Sequence, residues 1–154
     1  MSKDILSPFQ IDYMFLTDMR FHIEDSPSEK MEAGVEVSMD SVELRRDGDR
    51  SNLDARVSVS ADLHDAGNPD NALMSAAVVM RIGVRGNIGA DMGDGEVCRI
   101  LAANAVSLAY SHARSIVNSA AAESPAGTFI IPGIDPWAVV DEVLDQTEGA
   151  PGSK

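Results

Sequence analysis

Leu53-Asp54-Ala55-Arg56-Val57-Ser58-Val59-Ser60-Ala61-Asp62-Leu63 alternates apolar and polar side chains without an error. Successive side chains of a strand point to opposite faces, so this run predicts a strand with one buried and one open face. Past the loop HDAGNPDN (64–71), Met74, Ala76, Val78, Met80, Ile82 and Val84 share one face of the next strand. Its other face carries Leu73, Ala77 and Val79 and turns polar only at Arg81 and Arg85, the pattern of a central strand or one pressed against another subunit. In the other direction, RRDGDRSN (45–52) contains an Asp-Gly pair and reads as a hairpin loop. Before it, Val35, Val37 and Met39 mark a strand whose phase then slips, so that Val42 and Leu44 continue on even numbers. A one-residue slip reverses the faces, which predicts a bulge or kink. The first strand places Phe9, Ile11, Tyr13, Phe15, Met19, Phe21 and Ile23 on one face, with Thr17 interrupting and Met14 and Leu16 as exceptions. That is a long strand, bent midway. Four consecutive strands with short loops indicate an antiparallel sheet.

The second half changes period. After the glycine-rich GNIGADMGDG (86–95), a helix is predicted with Asp94 as N-cap and Glu96 in its first turn, running to about Ala122. Val97, Ile100, Leu101, Leu108, Ile116 and Val117 supply its spacing, and many Ala and Ser residues between them leave room for a second helix or simply favour helix. Pro125 and Gly127 end it. An extended apolar stretch, 128–132, leads to a short helix capped by Asp135, with Pro136 at its first position and Trp137, Val140 and Leu144 on one face. The fold class is α+β: a four-stranded antiparallel sheet followed by a long helix and a short C-terminal helix. Residues 1–145 form one domain and 146–154 a disordered tail.

Composition narrows the function. Twenty-five acidic residues against twelve basic give a net charge of −13. Nucleic-acid binding depends on Lys and Arg displacing counterions, so this balance argues against a nucleic-acid partner, and equally against an anionic membrane surface. It keeps a protein with exposed apolar surface in solution, although an acidic balance is also ordinary for bacterial cytoplasmic proteins. Cys98 is the one cysteine, so no disulfide forms within the chain and a reducing, cytoplasmic setting is expected. MSKDILSP lacks an apolar region behind its lysine, and no run is long enough to insert in a membrane.

Catalytic constellations are absent from the pattern. His22, His64 and His112 are far apart, without the ligand spacing of a metal site. The glycine-rich loop lacks the Lys-Ser/Thr pair of a phosphate loop and carries Asp91, Asp94 and Glu96, which repel phosphate. Cys98 has no histidine near it, and nothing sets a substrate beside Asp91 and Asp94. No catalytic residue, metal or cofactor is expected, and the chain is read as no enzyme. A hot-dog-like enzyme would want its helix early, wrapped by later strands.

Several residues, in order, carry a likeness. Phe9-Gln10-Ile11, Thr17-Asp18 and Phe21 open the chain; Leu108, Ala113-Arg114 and Ile116 lie in the long helix; Gly127-Thr128-Phe129, Ile131-Pro132 and Asp135-Pro136-Trp137 follow. Together they resemble the SecB family of export chaperones over residues 9 to about 144. The likeness implies an ATP-independent holdase for unfolded or precursor polypeptides, keeping secretory precursors export-competent, and a homotetramer built as a dimer of dimers. It implies a client groove with Val35, Val37, Met39 and Val42 on one wall and Ile130, Ile131 and Trp137 on the other, though each position also suits core packing. Methionine suits promiscuous contact because it is flexible and polarizable. Asp18 matches one acid by which the family docks on the SecA translocase motor. His22 stands where a second acid is expected, and Ala76 or Ala77 near a third. A divergent branch serves as dedicated chaperone of an antitoxin in a toxin–antitoxin system, the alternative assignment here.

Overall fold

The computed structural model describes residues 9–24, 31–124 and 131–148. Four strands, β1 (Phe9–Ile23), β2 (Met31–Asp47), β3 (Arg50–Asp65) and β4 (Asn68–Asn87), precede helix α1 (Asp94–Ala122) and helix α2 (Pro136–Glu148). All pairings are antiparallel, and the strand order is β1-β4-β3-β2. The β2, β3 and β4 strands form a meander, and β1 returns beside β4. The expected domain end at 145 falls inside the last turn of α2.

The alternation of β3 is realised in full. Leu53, Ala55, Val57, Val59, Ala61 and Leu63 are buried on one face, level with Val84, Ile82, Met80, Val78, Ala76 and Met74 of β4. Helix α1 lies over these two central strands. Its buried stripe is rich in alanine: Ala102, Ala105, Ala109, Ala113 and Ala121 join Val97, Leu101, Val106 and Val117. Small side chains bring the helix axis close to the sheet, while Ser107, Ser111, Ser115 and Ser119 face outward. The alanines thus serve the chain's own core, and the serines form the outer surface.

Both strand irregularities have a structural cause. In β2 the slip is a bulge: pairing with β3 jumps between Asp40 and Glu43, and Ser41 takes φ 53, a conformation rare outside glycine. In β1 there are two bulges, between Ile11 and Tyr13 and between Leu16 and Asp18. The first reverses the faces and the second restores them. Met14 and Leu16, exceptions in the sequence, therefore share the helix-side face with Ile11, Met19 and Phe21. Tyr13 and Phe15 stand on the opposite, open face, which corrects the expectation of a single apolar face.

Two loop readings are also corrected. The 45–52 segment is mostly strand, since Asp47 pairs with Arg50 and only Gly48 and Asp49 turn, with Gly48 at φ 63 as a two-residue hairpin demands. The N-cap of α1 is Gly93, without a side-chain cap; its carbonyl accepts the Val97 N–H. Asp94 instead accepts a hydrogen bond from Arg46 Nη1 at 2.8 Å, and the same nitrogen donates to the Met92 carbonyl at 2.6 Å. Arg46, at the end of β2, staples the glycine-rich loop.

Candidate functional site

Helix α2 starts as the sequence requires. The Asp135 carboxylate accepts the Trp137 N–H at 3.0 Å, and Pro136 occupies the first helical position, where no N–H is missed. Ile134 precedes the cap and Val139 follows four positions into the helix, the spacing of a hydrophobic staple. Val140 is fully buried and anchors the helix. The segment leading into it is fixed by the buried Tyr110 hydroxyl, which donates to the Pro132 carbonyl.

Helix α2 sits along β2, and between them runs a groove of about 570 Å³. Val35 and Val37 line it from β2, and Ile134, Val139 and Val143 from the α2 side. Polar lining comes from Glu36, Ser38, Ser58, Ser60 and Glu142. Among the described residues the outer edge of β2 has no strand neighbour.

The expected groove residues divide into four groups. Val35 and Val37 are half-exposed in the groove. Met39 (5% exposed) and Ile131 (1%) are sealed in the core, and Val42 packs half-buried against it. Ile130 lies outside the described residues. Trp137 is 41% exposed, but it faces α1: the Arg99 guanidinium stands 4.6 Å from its ring centre and holds both oxygens of Asp141 at 2.6 and 3.0 Å. Sequence reading missed Ile134, Val139 and Val143. The staple spacing was the signal that could have found them.

Three acid–base pairs stand on the open face of the sheet. Arg20 approaches Asp18 at 3.5 Å, Arg85 approaches Asp12 at 3.3 Å, and Arg56 holds both oxygens of Asp40 at 2.6 and 2.7 Å. Hydrogen bonding from Arg56 holds the Asp40 carboxyl below the ordinary range. Tyr13 donates to Asp54, and burial, then that carboxylate, pushes its phenol up. Asp18 is exposed as docking would require, yet it faces an arginine. Elsewhere, burial pushes the half-buried Cys98 thiol up, opposite to the activation a nucleophile needs.

A sheet covered on one face by a long helix, with a short helix walling a lateral apolar groove, is the SecB-like α+β fold. The fold aligns with that of a SecB-like chaperone of Mycobacterium tuberculosis, solved in complex with a ChAD peptide from the HigA1 antitoxin. The TM-score is 0.61 at 12% identity, over 82% of this chain and 90% of that one. No family model and no curated protein sequence matches the chain.

Proposed function

We propose that this chain is an ATP-independent holdase that binds non-native polypeptide in extended form in the groove between β2 and α2. The groove itself carries the reading. Apolar side chains from two elements face each other across an open channel, beside a strand edge that no other described strand pairs with, and a polypeptide can offer both apolar groups and backbone to it. The fold-mate bound to an antitoxin peptide supports a polypeptide as the ligand class. Holding requires no reacting group, so we read the protein as a binder and not an enzyme, working in the cytoplasm.

Suppression of aggregation of a reduced, unfolded client, without nucleotide, tests this. Wild type should suppress it, and Val139→Asp, which puts a charge on the apolar wall, should lose most of the effect while keeping its circular dichroism. Equal suppression by both proteins would sink the groove.

For the client, a dedicated antitoxin is favoured over general secretory precursors by the acid–base pairs on the open sheet face. Asp18 beside Arg20 gives a translocase motor little net charge to recognise. A purified antitoxin segment should bind, whereas SecA should not; salt-sensitive SecA binding would reverse the order. We also propose a homotetramer, supported by the exposed Ile11, Phe15 and Leu16 of β1 and the outward serines of α1. Light scattering measures the mass directly.

A further inference from the structure

A second cavity opens from the first. A hollow of about 680 Å³ on the open sheet face shares Val35, Glu36 and Ser60 with the α2 groove. It exists because two rows across the sheet are built from short side chains. In one, Ala77 and Ser60 lie between Arg20 and Glu36; in the next, Ser75 and Asp62 lie between His22 and Gly34. A Cβ on Gly34 would come within 2.5 Å of Asp62 Oδ1, so the carboxylate rests over bare backbone, with His64 Nδ1 2.8 Å from its other oxygen. The rim carries charge on both sides. Glu36 and Asp62 stand on the β2–β3 side, and Glu36 has no ion-pair partner among the described residues. Arg20, 82% exposed, stands across the hollow on β1 with Asp18 3.5 Å away.

We infer that this hollow is a second subsite for the same polypeptide client, which leaves the apolar groove at Glu36 and crosses the open face toward Arg20. The inference rests on the holdase reading. Its ligand is a polar segment adjoining an apolar one, with a basic side chain near Glu36. Crossing from β2 to β1 covers three strand spacings, about 14 Å, or roughly four extended residues. Continuity with the groove makes a continuing chain, rather than a separate small ligand, the occupant that fits.

Three synthetic peptides test it: an apolar block alone, the block with a Lys-Ser-Ser-Glu tail whose Lys adjoins it, and the block with the tail reversed. Each tail is made at either end of the block. The Lys-adjoining tail should tighten binding about fivefold at low salt, the scale of exposed ion pairs, and the reversed tail should not. Glu36→Lys should invert that preference, read as the ratio of the two tails' affinities on the same variant. A nitroxide on the far end of the tail should broaden the Ser75 and Ala77 amide signals in NMR spectra. If both tails bind like the block alone, or broadening stays at α2, the second subsite is overturned and the groove survives. If even the apolar block fails to bind, groove and subsite fall together.

Discussion

Among the described residues, β1 and β2 each have one edge without a strand neighbour, and α2 stands beside β2 alone of the four strands. At β2 the edge is flanked by α2, and the space between them is a lined groove. At β1 there is no such wall, because α1 lies mainly over β3 and β4. Ile11 (43% exposed), Leu16 (43%) and Phe15 (51%) remain in water, the first two on the helix side and the third on the open side. An unpaired edge is a template for another chain, and proteins blunt it by covering or bulging it. One edge here is covered and the other is bulged twice. The difference teaches that only the edge flanked by a helix gains a shaped, one-sided groove. The bare edge presents apolar groups on both faces, which suits a flat partner such as a second copy.

The largest expected effect comes from removing the wall. Val140→Asp would bury a charge where α2 meets the core, destabilising the docked helix by about 3 kcal/mol or more. Hydrogen exchange should show α2 amides losing protection while those of β1 and β4 keep theirs. Loss of protection at both edges together would mean that the edges do not stand as separate regions.

Next is Arg46→Ala at the far end of β2. Its guanidinium satisfies the Met92 and Gly89 carbonyls and the Asp94 carboxylate from a largely buried position. Stability should fall by about 1 kcal/mol, read from the urea midpoint, because a mostly buried guanidinium loses its charge-assisted bonds to largely exposed acceptors. An unchanged midpoint would show the loop to be held by its own turns.

At the bare edge, Ile11→Lys with Leu16→Lys should cost the chain under about 0.5 kcal/mol, since both side chains are already exposed. Sedimentation should nevertheless show weaker self-association. A large stability loss with no change in mass would move these residues from interface to core.

The smallest effect is a pH dependence at the covered edge. A hydrogen bond from Arg99 holds the Asp141 carboxyl below its ordinary value. A carboxyl depressed in the folded state contributes fully above its unfolded pKa and loses that contribution as pH falls through the folded one. The tether between α1 and α2 should therefore be intact near neutrality and weaken only below about pH 4. Trp137 fluorescence, with Arg99 over the ring, should shift in that window and nowhere between pH 5 and 8. The shift should vanish in Asp141→Asn.

Much of the fold was legible because it rests on local periodicity. The faces of β3, the bulge near residue 41, the end of α1 at Ala122 and the Asp135 cap all follow from neighbours a few positions apart. The two bulges of β1 were not legible, since opposite slips cancel and leave Met14 and Leu16 looking like stray exceptions. Of the groove, Val35 and Val37 were visible as a strand face. Met39 shares that strand face in the sequence but lies sealed in the core, because periodicity tells which face a residue takes and not what covers that face.

By itself the sequence determined the elements and the face of the central strands, because side-chain direction repeats with fixed backbone periods. Tertiary structure alone decided that β1 returns beside β4, that Arg46 reaches Asp94, and that Arg99 turns Trp137 away from the groove. Those outcomes depend on contacts between residues tens of positions apart, where chain entropy and packing across elements select among pairings that local pattern leaves equivalent.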